Sequence, residues 1–304
     1  MLAFMRFLSL KSSLIRLSLG VATCCALSAP ARAADIEIID DNGRAVLLTK
    51  PASRVVTLTP HVTELVFEAG AGSKIVATVA ASDFPPEART LPRIGDGLAP
   101  DPEKVAALKP DLIIGWLPEQ TVALDALNVP IFISSPQTLA DIPDSVETFG
   151  VMLGTADVAR ARADALRHKL ESLTSHSSKR PLVRVFVQAG AESEYSLGGD
   201  HILSDVIALC GGVNVFAEST ALAPKISIES VIAAKPDLVL VGKVGAPAIP
   251  TPDTQALAYW KVAGLPAARP GHVQMMDADV LYRPGPRLID AATRICDLIE
   301  QARK

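Results

Sequence analysis

Two stretches of the chain repeat each other 126 positions apart. Glu103 to Gly115 and Glu229 to Gly242 each open on a glutamate at the head of a short helical pattern, stop at Lys-Pro-Asp (Lys109 to Asp111 and Lys235 to Asp237), and run into an apolar strand. One pair of copies is too few for a solenoid, which stacks several repeats of roughly 20 to 50 residues to bury a continuous core. The repetition predicts two similar lobes with a cleft between them, each presenting one glutamate at the start of an equivalent helix.

The first 33 residues contain Arg6, Lys11, Arg16 and Arg32, no acidic residue, an apolar run from Leu17 to Leu27, and small residues at Ala31 and Ala33. This is the pattern of a secretory signal peptide cut before Ala34. The run is shorter than the roughly 20 residues that span a bilayer. A cut at Cys24, giving a lipid anchor, is the less favoured alternative because Thr23 stands where a smaller residue is usual. Cleavage at Ala33 leaves 271 residues with 25 basic and 33 acidic side chains. Such a chain has room for two lobes inside the usual domain range. Its acidic balance argues against nucleic acid as a partner. Cys210 and Cys296 are then the remaining cysteines. An even pair in an oxidising compartment points to a disulfide within the second lobe rather than two buried thiols.

Short apolar runs bounded by Pro, Gly or Asp read as strands at 54–58, 75–79, 112–116 and 131–134, then at 184–188, 238–241 and 273–276. Helical patterns alternate with them at 62–69, 102–108 and 121–127, then at 202–209, 228–234 and 286–302. Continuously apolar strands alternating with helices predict an α/β fold with mostly parallel sheets covered on both faces. Between the halves, Ala156 to Leu173 is rich in Ala, Leu, Arg and Glu at helical spacing and predicts one long connecting helix. The expected division is a leader at 1–33, an N-terminal lobe at 34–150, the connecting helix at 151–179 and a C-terminal lobe at 180–304. Gly211 is expected to stop the helix that precedes it, and Gly70 to Lys74 reads as another helix stop and turn.

Arg54-Val-Val-Thr-Leu-Thr-Pro60, Thr63-Glu-Leu65, Ser82-Asp-Phe-Pro-Pro86 and the Lys-Pro-Asp-Leu-Ile block together resemble the periplasmic substrate-binding proteins of ABC importers for cobalamin, haem and ferric siderophores. These form the class III, helical-backbone superfamily. Cys210-Gly-Gly-Val-Asn-Val-Phe216 is similar to a segment of its cobalamin-binding members in particular, and the resemblance runs from about Arg54 to the C-terminus. It implies two α/β lobes joined by one long helix, ligand held in the cleft, and docking of Glu103 and Glu229 onto arginines of an inner-membrane permease dimer with its ATPase subunits. Two exposed carboxylates at equivalent sites also suit a two-fold basic partner on physical grounds. For the ligand, the resemblance nominates Trp116 as a packing wall and Asp279 and Arg283 as hydrogen-bonding groups, with Asp83, Phe84 and Tyr195 as further contacts. It departs from the cobalamin-binding members at Ala81, at Gly97 or Leu98, and at Ala223, where those members carry aromatic residues. The implied ligand is cobalamin or a related corrinoid, with haem or a ferric siderophore as the alternative. The protein is expected to act as a monomer in the periplasm, with cobalamin as cargo and no cofactor.

For a haem-type ligand, His61 or Tyr195 could bind iron. The ordinary readings are His61 as a solvated first-turn residue and Tyr195 as a cleft or packing aromatic. Tyr282 is another candidate cleft residue, Arg287 is read as opening the last helix, and His168 and His176 as exposed. The chain lacks a G-x-S-x-G nucleophile elbow and an H-E-x-x-H zinc helix, which counts against a secreted hydrolase.

Overall fold

The computed structural model describes residues 35–174, 180–190 and 195–304. The expected leader at 1–33, with Cys24, and His176 lie outside the described residues. An antiparallel hairpin, β1 (Ile36–Ile39) and β2 (Ala45–Leu48), opens the fold. Its turn is organised by Asp40, whose carboxylate accepts from the backbone N–H groups of Asn42 and Arg44 at 3.0 and 2.8 Å.

Then follow β3 (Val55–Thr57), α1 (Pro60–Glu68), β4 (Ile75–Ala77), α2 (Pro102–Ala107), β5 (Leu112–Gly115) and β6 (Ile131–Ile133). The four strands form a parallel sheet in the order β4-β3-β5-β6. The helix expected over 121–127 is instead a 3-10 helix at Val122–Leu127, ended by Asn128 at φ 52°. Leu124 is the buried residue of that segment. So little packing favours the short, tighter form over a regular α-helix.

α3 (Asp141–Leu153) ends at Gly154, φ 69°, and α4 (Ala156–Thr174) folds back against it. α4 matches the long helix expected at 156–173. At Gly150 an added Cβ would sit 2.2 Å from that of Ala159, so the close approach of the two helices requires glycine there.

The second half contains β7 (Val183–Ala189), α5 (Ile202–Leu209), β8 (Gly212–Asn214), α6 (Ile228–Ala234), β9 (Leu238–Lys243), β10 (Thr251–Pro252), α7 (Thr254–Val262), β11 (Val273–Asp277), α8 (Ala278–Tyr282) and α9 (Pro286–Ala302). The sheet order is β10-β11-β9-β7-β8, parallel except for β10. Gly211, at φ 75°, turns the chain out of α5 as expected. Cys210 and Cys296 are joined in a disulfide, with Cα atoms 4.6 Å apart, that ties the end of α5 to α9.

The strands alternate faces, and that alternation distributes the core. Val55, Leu112 and Ile114 of the first sheet and Val185, Val187, Leu238 and Leu240 of the second join one continuous cluster with α3, α4 and α9. Val56 and Ile113 face a separate cluster in the first lobe, and Phe186, Val239 and Val241 face another, around Trp260, in the second. The architecture is α/β with two lobes, as the strand pattern led us to expect, welded along their shared side. Among the described residues no helix is long and apolar enough to cross a membrane.

The sequence repeat is also a structural one. Lys109 and Lys235 both take left-handed backbone angles, φ 47° and 46°. Asp111 accepts from the Arg54 backbone N–H at 2.8 Å, and Asp237 from that of Arg184 at 2.8 Å. The Arg54 guanidinium then reaches the Leu108 carbonyl at 2.6 Å, and that of Arg184 the Ala234 carbonyl at 2.8 Å. Each lobe thus locks the end of one helix to the start of its first sheet strand.

Candidate ligand-binding cleft

Parallel strands deliver their following loops to one edge of a sheet, and ligands in such folds lie beyond the carboxyl ends of the strands. A cavity of about 1020 Å³ lies there, between the loops after β3, β4, β5 and β6 on one side and the end of β7, the start of α5 and the turn after α8 on the other. Its volume sits at the upper end of the roughly 300 to 1,000 Å³ usual for small-molecule sites.

Trp116, directly after β5, forms part of the wall. Its indole N–H donates to Ser135 Oγ at 3.2 Å, and its backbone N–H to Gln120 Oε1 at 3.0 Å. Gln120, 3% exposed, also accepts from the Leu117 N–H at 3.1 Å, so one buried amide fixes the turn that presents the indole. His61, in the first turn of α1, stands edge-on to Trp116 with ring centroids 5.9 Å apart. The reading of His61 as a solvated residue is corrected here: it is 4% exposed and lines the cavity. Burial pushes its pKa down to about 4, with the Arg283 charge adding to the fall and the contact with the Ser134 carbonyl opposing it. That carbonyl can only accept, at 3.3 Å from Nε2, which therefore carries the proton and leaves Nδ1 as an acceptor.

The second lobe supplies a counterpart. His201 caps α5, its Nδ1 accepting from the Leu203 N–H at 3.1 Å, and it stands edge-on to Tyr282 at 5.9 Å. Burial lowers its pKa to about 4. Tyr282 donates to the Gln188 carbonyl at 3.3 Å, and burial raises its phenol pKa. The ring lies over Gly242, the last residue of the second repeat, where a Cβ would fall 1.7 Å from the hydroxyl oxygen. Any larger residue at 242 would displace Tyr282.

Beside the cavity the lobes are joined by an ionic cluster. Glu64 of α1, 4% exposed, is paired with Arg287 at 2.9 and 2.6 Å and with Arg283 at 3.3 Å. Burial raises the Glu64 pKa, and the two arginines oppose that. Arg283 also meets Asp83 at 2.9 Å, Asp279 at 2.7 Å and the Ala81 carbonyl at 3.3 Å. Burial tends to raise the Asp83 carboxyl, but Arg283 outweighs it and holds the pKa below the usual range. The Arg287 guanidinium lies 4.4 Å over the Phe84 ring.

Of the nominated residues, the main cavity brings together Trp116 and Arg283, with Tyr282. Asp279 stands behind Arg283, on a smaller cavity of about 530 Å³. Asp83 and Phe84 belong to the ionic cluster, and Tyr195, 45% exposed, forms a backbone bridge with Lys225 and accepts from the N–H of Ala189, a residue of the cavity wall, without lining the cavity itself. Arg287 does open α9, as expected, and also pairs with Glu64. Sequence reasoning missed Glu64, Gln120 and His201. The signal for His201 was its place before an apolar helix, which marks an N-cap, whereas nothing local reports the depth of Glu64.

Glu103 and Glu229 each occupy the second position of their helices, α2 and α6, and both are exposed. Asp101 caps the first helix and Ser227 the second. The Glu229 backbone amide and the Ser227 hydroxyl hold the Glu229 carboxyl below its ordinary range.

A family model for periplasmic binding proteins matches residues 55–280. The chain is 34% identical over 270 residues to the vitamin B12-binding protein of Vibrio cholerae, covering 85% of this chain and 94% of that one. It is 32% identical to the protein of the same name from Yersinia pestis, over 82% of this chain and 88% of the other. Among solved structures it resembles the periplasmic vitamin B12 binding protein BtuF of Vibrio cholerae, with a TM-score of 0.73 and 33% identity over 84% of this chain and 99% of that one. The apo form of the periplasmic heme-binding protein RhuT from Roseiflexus sp. RS-1 aligns with a TM-score of 0.68 and 25% identity, over 83% of this chain and all of that one. Two lobes around a cleft, and a family model that spans three quarters of the chain, lead to one conclusion: this chain belongs to the periplasmic binding protein family.

Proposed function

We propose that this protein captures cobalamin or a related corrinoid in the cleft and hands it to an inner-membrane ABC importer. The observation that carries the reading is the cavity of about 1020 Å³, walled by Trp116 on one lobe and by Tyr282 and Arg283 on the other, in a chain that matches a vitamin B12-binding protein over 94% of that protein's length. Affinity comes from desolvating a broad ligand face against a largely preformed wall, and orientation from a few polar groups. Trp116 packs on the ligand, and Arg283 and Asp279 hydrogen-bond its side groups. Asp83 and Phe84 act through the two arginines they hold, and Tyr195, next to the cavity wall at Ala189, is a peripheral contact. The lobes span 34–150 and 180–304, the connecting helix lies within 151–179, and a leader cleaved before Ala34 delivers the protein to the periplasm. Glu103 and Glu229 dock onto the permease dimer that its ATPase subunits drive. Haem is the second reading, favoured by the Nδ1 that His61 leaves as an acceptor in the cavity wall.

The test is calorimetric titration of residues 34–304 with cyanocobalamin, haemin and a ferric siderophore. One-to-one saturation by cyanocobalamin is expected; saturation by haemin or the siderophore alone replaces the ligand assignment. Glu103→Ala and Glu229→Ala are expected to cripple uptake in cells while leaving solution affinity unchanged. Loss of binding in solution by either variant would remove the docking role.

A further inference from the structure

We infer that the cleft selects among corrinoids by charge, accepting those whose peripheral groups are amides and rejecting carboxylates, with Asp96 and Asp200 as the residues that set this preference. The inference rests on the corrinoid reading above and names the chemical class within it.

Among the described residues, the ionisable side chains of the main cavity are His61, Asp96, Asp200, His201, Tyr282 and Arg283, and the Tyr282 phenol, its pKa raised by burial, carries no charge. The two imidazoles bring no charge: His61 is 4% exposed and burial lowers its pKa to about 4, and His201 accepts a backbone N–H at Nδ1, which a protonated ring could not do. Arg283 is therefore the cation that an anionic ligand group would need. It is already committed, with Nη1 on Asp83 and Glu64 and Nη2 on Asp279 and the Ala81 carbonyl. Counting Arg287 with it, two guanidinium charges face the three carboxylates of Glu64, Asp83 and Asp279, so the cluster has no positive charge to spare. A ligand carboxylate would have to compete with these three carboxylates for the same two guanidinium charges.

The remaining charges are both negative and come from opposite sides. Asp96 lies on the loop before α2, with Oδ1 accepting from the Leu98 N–H at 2.9 Å, and Asp200 lies just ahead of α5. Both are exposed at the cavity edge. A carboxylate offers acceptor lone pairs only. The NH₂ of a peripheral amide can donate to it, whereas a ligand carboxylate meets repulsion with no hydrogen to share. The same argument tells against haem, which presents two propionates, and so bears on the second reading.

The discriminating probes are cyanocobalamin and its three monocarboxylic acids, in each of which one propionamide is hydrolysed and a single NH₂ becomes O⁻. Titration at low ionic strength is expected to give at least one of the acids about tenfold weaker binding than the parent, since unscreened like charges at a partly solvated edge repel on that scale. The ratio of parent to acid is expected to shrink at least threefold in 0.5 M NaCl, and by a similar factor in Asp96→Asn/Asp200→Asn. Equal binding of all four compounds overturns the charge selection and leaves the corrinoid reading standing. A discrimination that the double variant does not narrow removes Asp96 and Asp200 as its source. If cyanocobalamin itself does not bind, the corrinoid reading falls and this inference falls with it.

Discussion

The repeated helix-to-strand frames of the two lobes are built alike, and the walls the lobes turn to the cleft are not. In the frames, Glu103 and Glu229 share a helix position, Lys109 and Lys235 share a left-handed turn, and Asp111 and Asp237 lock equivalent backbone N–H groups. Inside, each lobe sets a neutral imidazole edge-on to an aromatic ring, but the pairs are His61 with Trp116 on one side and His201 with Tyr282 on the other. The first lobe adds Gln120 behind its indole; the second adds Arg283. A frame that only has to present one helix per lobe can be repeated. A cavity around an asymmetric guest needs two different walls, one dominated by a flat apolar surface and one by placed polar groups.

The sharpest way to break this comparison is to remove the residue that ties the walls together. Glu64→Ala leaves Arg287, whose side chain is 19% exposed, without its paired carboxylate, and Arg283 with only the more exposed Asp83 and Asp279. Removing one partner of a buried ion pair costs about 3 to 5 kcal/mol. Urea unfolding at neutral pH is the measurement. Glu64→Leu combined with Arg287→Met, which removes both charges, is expected to recover most of the loss. A cost below 1 kcal/mol for Glu64→Ala would show that water or the remaining carboxylates replace it and that the joint is no strut.

The two imidazoles allow a second test of equivalence. Each has a folded pKa of about 4, below the ordinary value of 6.5. Between those values the unfolded chain binds protons that the folded chain does not. Their contribution is therefore complete above pH 6.5 and lost as pH falls toward 4, at about 1.4 kcal/mol per pH unit for each histidine. The raised Glu64 pKa acts in the opposite sense, so each variant must be compared with the parent. His61→Gln and His201→Gln are each expected to remove one proton from the slope of stability against pH between 6.5 and 4.5. If only one of them changes the slope, the second imidazole is solvated and the two walls are not built on the same principle.

The repeated frame was legible because its signals are local. α5 and α6 occupy the residues their apolar spacing marked out, and α9 starts at the Pro that precedes Arg287. α3 was missed because its first turn is polar and carries Pro143, and its interior holds Gly150, whose packing role appears only beside Ala159. β8 and β10, of three and two residues, are too short to show periodicity. In the cleft, Trp116 and Arg283 were reached through the family resemblance, which placed them directly after a strand and within the Asp279 to Arg287 segment. His61 was not legible, because its burial is made by a neighbour 55 positions away, and Glu64 was not, because its partners lie more than 200 positions further on.

The smallest expected effect separates the two copies of the frame itself. Arg54 spans two carbonyls, reaching Leu108 O at 2.6 Å through Nη2 and Lys109 O at 3.1 Å through Nε, whereas Arg184 reaches Ala234 O alone at 2.8 Å. Both side chains are at the surface, so solvent competes for every bond and each is worth a fraction of its buried value. Arg54→Ala is expected to cost about 1 kcal/mol and Arg184→Ala about half that, read from urea midpoints at constant slope. The order follows from how many orphan carbonyls each arginine satisfies at the end of a short helix that has few other means of capping them. Equal costs would mean that the second carbonyl of Arg54 is as well served by water. A larger cost at Arg184 would place the greater strain in the second lobe, where the Cys210–Cys296 disulfide already restrains the chain, and would mark that copy of the frame as the more heavily loaded of the two.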